Sequence, residues 1–212
     1  MADDITQTKS TPTVIQNNKS ILYQVGKRTF DVIFSLFMLV IILPILSLFC
    51  VIIPLESPGS PFFCQERLGK NGKRYIIYKL RSMCKNAEPN GPQWAQQDDE
   101  RITKIGKFIR RTRIDELPQF INILKGDMSI VGPRPERQFF YDKFKECIPD
   151  YKDRLVIKPG LTGWAQINGG YNITPQKKLS YDLNYIKHRT FRLDLYIIYK
   201  TIFIILSGDG AR

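Results

Sequence analysis

RRTRIDELPQFINILKGDMSIVGPRP, residues 110–135, holds the organisation of this chain. It opens with three arginines in four residues, Arg110, Arg111 and Arg113, reaches adjacent carboxylates at Asp115 and Glu116, and closes on Arg134 between Pro133 and Pro135. Between these, Leu117, Phe120, Ile121 and Leu124 recur at i, i+3, i+4 and i+7, the spacing of one apolar helix face. Lys125 followed by Gly126 is a helix ending. Asp115 then falls at the N-cap and Pro118 in the first turn, where a missing N–H does no harm. Both carboxylates are expected at the positive end of a helix, with lowered pKa values, ionised near neutral pH.

Ionised carboxylates in such a place serve as caps, as nucleophiles or as Mg²⁺ ligands. The cap is the commonest use, and the pair taken alone asks for nothing more. Its neighbours change the reading. Arginine presents a planar donor fork matched to phosphate oxygens, and the prolines on either side of Arg134 stiffen the backbone that aims it. Two carboxylates for a metal or a covalent bond, with several arginines for a diphosphate, suit phosphoryl transfer.

The stretches IDELPQFINILKGDMSIVGPRP (114–135), YKLRSM (78–83), KPGLTGWAQING (158–169) and YDLNYI (181–186) resemble the catalytic domain of the bacterial monotopic phosphoglycosyl transferases, the polyprenyl-phosphate sugar-1-phosphate transferases. The resemblance runs from about Lys27 to about Leu206. It implies transfer of a sugar 1-phosphate from a UDP-sugar to polyprenyl (undecaprenyl) phosphate, releasing UMP, as the first membrane step of bacterial glycan assembly. It further implies that Asp115 is the nucleophile, forming a covalent phosphosugar intermediate on or near Mg²⁺, with Glu116 as its acidic partner. Arg134, and after it Arg110, would grip the donor phosphates. YKLRSM would lie beside the site, making Lys79 and Arg81 candidates for phosphate contact, although basic residues alternating outward on a strand are as readily just solvated.

The formal charge of +12 and a pI near 9.6 favour an anionic partner: nucleic acid, an acidic membrane surface or a phosphorylated substrate. An apolar run near the N-terminus favours the last two. Cys50, Cys64, Cys84 and Cys147 are widely spaced with no C-x-x-C pair, which argues against zinc or a disulfide scaffold and for reduced cytosolic thiols. His188 is the single histidine, which leaves little support for a histidine-based metal site or a Ser-His pair.

Residues 1 to about 20 are polar and predict a flexible tail. Lys27 and Arg28 introduce an uncharged stretch, Val32 to Leu55, long enough to cross a bilayer core ~30 Å thick. One spanning helix is the simplest reading, and Pro44 opposes it by removing a backbone hydrogen bond in mid-run. Each half, at ~1.5 Å per residue, reaches only ~18 Å. Basic residues flank both ends (Lys27 and Arg28 before; Arg67, Lys70, Lys73 and Arg74 after), which favours both ends in the cytoplasm. The family resemblance implies the same re-entrant helix in the bacterial inner membrane, with Lys27, Arg28, Asp31 and Pro44 where its pattern expects them. Its members often carry serine before this proline, whose hydroxyl can take up a freed carbonyl; here that residue is Leu43.

The expected fold class is α+β. Residues 21–56 form a re-entrant helix-break-helix in the membrane, and 57–212 a small, mainly helical cytoplasmic domain with a short β-hairpin and amphipathic interfacial helices. Phe62 to Gln65 and Arg74 to Leu80 read as strands around Asn71-Gly72. Glu88 to Glu100 reads as a mobile loop, with Trp94 free to stack on a base or sit at the interface. Helices are expected at 102–111, 136–145 and 174–187, a buried segment at 128–131 followed by a strand pair at 154–158 and 164–168 around Pro159, Gly160 and Gly163, and a final apolar helix at 195–206. Asp127 is expected to be structural.

Two rival readings remain at this stage. A non-enzymatic, membrane-anchored basic adaptor fits composition and the apolar run equally well, but does not call for an acid pair followed by a Pro-Arg-Pro clamp. Nucleic-acid binding fits the charge but lacks a reading helix or aromatic platform. The oligomeric state is open, a homo-oligomer included, as are the sugar and the pathway.

Overall fold

A computed structural model describes residues 19–89, 91–93, 99–169 and 173–207. The expected tail, up to residue 18, and Trp94 lie outside them.

Helix α1 (Ile21–Glu56) begins where the Ser20 hydroxyl accepts from the Tyr23 amide, and it stays helical through Pro44 and Pro54. The helix-break-helix expected at Pro44 is therefore one uninterrupted helical element. Ser47 Oγ donates to the Leu43 carbonyl at 2.9 Å, one turn beyond the Val40 carbonyl that Pro44 frees, so it does not replace the hydroxyl missing at Leu43. Among the described residues α1 is the one helix long and apolar enough to cross a membrane. Most of its large apolar side chains are exposed, including Ile33, Leu36, Phe37, Val40, Leu43, Leu48 and Val51. A stripe of Ile42, Leu46, Phe49 and Ile53 is buried in the main core.

Both ends of α1 are fastened to the same body. Near its start, Arg28 donates to the carbonyls of Ile123 (2.5 Å) and Leu124 (2.7 Å), and Asp31 accepts from the Ile130 amide (3.1 Å). At its end, Glu56 accepts from the amides of Lys104 (2.7 Å) and Ile105 (3.0 Å), the first turn of α2 (Lys104–Arg111). Arg28 thus satisfies terminal carbonyls of one helix and Glu56 the initial amides of another, each with the charge that the helix end attracts.

Strands β1 (Phe62–Leu68) and β2 (Arg74–Leu80) form the expected antiparallel hairpin, in register from Phe62 opposite Leu80 to Leu68 opposite Arg74. Its turn places Asn71 (φ 55°) and Gly72 (φ 76°) in the left-handed region, which is why the Asn-Gly signal was readable. Helix α3 (Gln119–Lys125) lies on the open edge of β2 through one side chain: Asn122 Oδ1 accepts from the Tyr78 amide (3.0 Å) and Nδ2 donates to the Ile76 carbonyl (2.6 Å). Asn122 is fully buried, so replacing it by leucine strands two backbone groups, each worth about 1–3 kcal/mol. Asn122→Leu is expected to lower the melting temperature of the detergent-solubilised protein by roughly 5–10 °C; an unchanged value in a thermal scan would show that the edge is held by something else.

Strand β3 (Ser129–Val131) pairs in parallel with β4 (Gly160–Thr162), adding a second small sheet. The strand pair expected at 154–158 and 164–168 is not there. Tyr151–Leu155 is a 3₁₀ turn, and Trp164–Gly169 is helix α5. The reason lies in the glycines: a Cβ on Gly160 would sit 2.1 Å from the Gly132 amide nitrogen, and one on Gly163 2.1 Å from the Gly132 carbonyl oxygen. They are small because two backbones touch, an approach invisible to a reading of local turn chemistry.

Helices α4 (Gln138–Cys147), α6 (Pro175–His188, capped by Thr174 with Pro175 in its first turn) and α7 (Phe191–Ser207) follow close to expectation. On α7, Tyr196, Tyr199, Ile202, Phe203 and Leu206 are exposed while Asp194 and Ile197 are buried, giving a one-sided apolar helix. The fold is α+β, with the main core where α1, α3, the hairpin and the β3–β4 sheet meet.

Candidate active site

Helix α2 ends at Thr112, and Arg113 takes a left-handed conformation (φ 58°) that turns the chain into a 3₁₀ turn, Ile114–Glu116. Helical geometry continues through Leu117 and Pro118 into α3. Asp115 is therefore not an N-cap: it sits inside the turn, and Pro118 occupies the cap position. A non-glycine residue at positive φ costs energy and clusters at functional sites. Here it directs both carboxylates inward, leaving Asp115 8% and Glu116 7% exposed.

The two acids meet opposite surroundings. Glu116 Oε1 is paired with Lys79 Nζ at 2.8 Å and with Arg134 Nη2 at 2.5 Å, and its Oε2 is 3.4 Å from Arg134 Nη1. Burial would raise its carboxyl, but Arg134 and Lys79 outweigh it and hold the group well below the usual range. Among the described residues, the Asp115 side chain makes no hydrogen bond or ion pair. Burial dominates there. Although the charges of Lys79, Arg110 and Arg113 oppose it, the adjacent Glu116 adds to it, and the Asp115 carboxyl is pushed up to about 6. The lowered pKa expected from a helix terminus is thus found at Glu116, through side-chain cations, and reversed at Asp115.

Lys79 and Arg134 are both brought to the acid pair, and Arg110 and Arg113 lie within electrostatic reach of Asp115. Arg81 goes elsewhere. Its guanidinium donates to the carbonyls of Ser57, Pro58 (3.1 Å) and Gly59 (3.5 Å), fastening the turn by which the chain leaves α1. It follows β2 rather than lying in it, so the strand alternation that grouped it with Lys79 no longer governs its direction. His188 is exposed, with Nδ1 3.1 Å from the Asn184 carbonyl oxygen.

Three contributors were not anticipated. Asn122 keys α3 to β2 and so sets Lys79 opposite Glu116. Its neighbours at i−3 and i+3 are Gln119 and Lys125, so the apolar periodicity carried no signal for its burial. Arg137 holds Glu88 of the segment after the hairpin through both carboxylate oxygens, at 2.8 and 2.9 Å. Arg154 reaches the main chain of Arg134, a long-range contact with no local signature.

Among the described residues no cluster of three or more His, Cys, Asp or Glu side chains gathers as a protein-only metal site. Mg²⁺ asks for less, since it takes one or two carboxylates and completes its shell with water and substrate phosphate oxygens. Asp115, whose oxygens are uncommitted to side chains, fits that role; Glu116, engaged by two cations, does not.

Together these give a long, mostly exposed apolar helix fastened at both ends to an α+β domain, with an inward acid pair beside Lys79 and Arg134. The chain belongs to the bacterial sugar transferase family, whose model matches residues 22–208. It is 46% identical over 194 residues to a UDP-N-acetylgalactosamine-undecaprenyl-phosphate N-acetylgalactosaminephosphotransferase of Aeromonas hydrophila, covering 90% of this chain and 46% of that one. It is 52% identical over 139 residues to a putative undecaprenyl-phosphate N-acetylgalactosaminyl 1-phosphate transferase of Bacillus subtilis, covering 66% of this chain and 78% of that one. A UDP-glucose:undecaprenyl-phosphate glucose-1-phosphate transferase of Escherichia coli is 41% identical over 182 residues, covering 84% of this chain and 39% of that one. The chain thus spans less than half the length of the first and third of these.

Proposed function

We propose that this chain transfers a sugar 1-phosphate from a UDP-sugar to undecaprenyl phosphate at the membrane surface. The observation that carries the reading is the asymmetry of the acid pair: Glu116 is pinned by Lys79 and Arg134, while the buried Asp115 carboxylate has no hydrogen-bond or ion-pair partner among the described residues. A desolvated carboxylate with no hydrogen bond to blunt it is a nucleophile in waiting. Asp115 attacks the sugar-bearing phosphorus, forming an Oδ–P bond as the bond to the bridging oxygen breaks and UMP leaves. An oxygen of the lipid phosphate then attacks the same phosphorus, and the Oδ–P bond breaks to restore the carboxylate. Arg134 and Arg110 hold the donor phosphates, and Glu116 keeps Lys79 and Arg134 in place. Mg²⁺, when bound at Asp115, would neutralise diphosphate charge.

The names of these three relatives, each of which specifies undecaprenyl phosphate, support the acceptor. They name different sugars, so the donor is set by experiment: UMP release is measured across a panel of UDP-sugars with undecaprenyl phosphate. Turnover with one of them is expected. No turnover with any, alongside intact lipid binding, would favour a non-enzymatic membrane adaptor. Because Asp115 reacts as the carboxylate and burial pushes its carboxyl up to about 6, kcat/KM is expected to be flat above that pH and to fall about tenfold per pH unit below it. An acid limb of the unaltered enzyme centred well away from pH 6 would assign the titration elsewhere.

The same reading makes α1 a re-entrant helix that turns back by bending at Pro44 while its backbone stays helical. Its two ends are tied to one body by Arg28 and Glu56, and basic residues flank both sides, favouring a cytoplasmic catalytic domain. In a cysteine-free background, single cysteines at positions 22 and 58 should both be labelled from the cytoplasmic side only. Labelling of residue 22 from outside the cell would make α1 a spanning helix.

A further inference from the structure

Arg134 is reached from behind by a buried guanidinium. Arg154, 3% exposed, lies in the 3₁₀ turn Tyr151–Leu155, and its five N–H donors all have destinations. Nε and Nη2 lie 3.1 and 2.8 Å from Asp182 Oδ2, Nη1 donates to the Tyr151 hydroxyl at 2.8 Å and lies 3.5 Å from Glu136 Oε1, and Nη2 donates to the Arg134 carbonyl at 2.9 Å. Asp182 is supplied by α6, and Lys178, one turn earlier on the same helix, is also paired with Glu136.

A buried ion cluster of this kind is a poor route to stability, because apolar residues of the same volume do as well or better. What it provides is position. The prolines at 133 and 135 restrict the backbone on either side of Arg134, and Arg154 fixes the carbonyl between them, leaving the side chain as the remaining freedom. That side chain is the one aimed at Glu116.

We propose that Arg154, braced by Asp182 and Glu136, is a positioning residue for donor binding: it sets the main chain of Arg134 so that the guanidinium meets the donor's phosphate. This rests on the role given to Arg134 above. Arg154 itself contacts neither the acid pair nor, being enclosed, the substrate.

The test is a double-mutant cycle on the full-length protein, with donor KM, kcat and melting temperature read for each variant. Arg154→Lys keeps the charge facing Asp182 and Glu136 but cannot span Asp182 and the Arg134 carbonyl together. Its donor KM is expected to rise about tenfold with the acceptor KM unchanged. Arg134→Ala alone should cost about 100-fold in donor kcat/KM, and adding Arg154→Lys to it should cost less than a further twofold, since the positioned group is already gone. Should Arg154→Lys fold poorly, Asp182→Asn, which leaves the guanidinium but loosens its brace, should show the same non-additivity. Losses that add in full, or an unchanged donor KM in a folded variant, would overturn the proposal. Failure of the underlying reading looks different: the unaltered protein would turn over no donor at all.

Discussion

Asp115→Asn is expected to abolish turnover, by on the order of 10⁴-fold, while raising the melting temperature. The two effects share a cause. Burial, the main influence on this carboxyl, puts its native pKa at about 6 against an ordinary 3.8, so ionising it works against folding. The sign follows from the raised native value: the penalty is absent at low pH, grows as pH rises from about 4 through 6, and is complete above that. It amounts to about 3 kcal/mol at full ionisation. Asparagine carries no charge to desolvate, so at pH 7.5 the variant should melt several degrees higher, and at pH 4 the difference should nearly vanish. Incubation with donor alone should label the unaltered protein covalently and leave Asp115→Asn unlabelled. Substantial turnover in this variant would end the assignment of Asp115 as nucleophile.

Glu116→Ala should do the reverse to stability. Its carboxylate is the shared partner of Lys79 and Arg134, and removing it leaves two enclosed cations facing each other. Breaking a buried pair costs about 3–5 kcal/mol; the low end applies, because the Arg134 side chain keeps 29% of its surface and draws on solvent. A loss of about 3 kcal/mol should appear as a lower denaturation midpoint with an unchanged slope. Since the native carboxyl lies well below its ordinary value, this contribution is present above about pH 4.5 and fades as pH falls through the native pKa. Two neighbouring acids that move stability in opposite directions are a sharp signature. Equal destabilisation by Asp115→Asn and Glu116→Ala would mean that both are structural.

How much of this was legible beforehand depended on how local the cause was. Helix α6 could be read because Thr174 and Pro175 are start signals acting within one turn, and the hairpin because Asn71-Gly72 tolerates left-handed backbone. The acid pair could be found, since Asp115, Glu116, Lys79 and Arg134 all stood in motifs, yet its electrostatics could not. Arg113 turns left-handed and starts the helical path earlier than the apolar periodicity indicated, and the burial that follows reverses the shift at Asp115. The PGLTG segment misled for a related reason. Its glycines answer to Gly132, about thirty residues away, rather than to their own turns. Lys79 and Arg81 show the limit of alternation, since the rule lapses where β2 stops.

The caps at the two ends of α1 bear on how this protein can be taken apart. A fragment starting after Glu56 would lose the arginine that closes α3 and the glutamate that opens α2, on either side of the turn carrying Asp115. The apolar segment is accordingly a keystone and not a leash. Truncations designed for water solubility should yield aggregates, and purification has to carry the whole chain through in lipid or detergent.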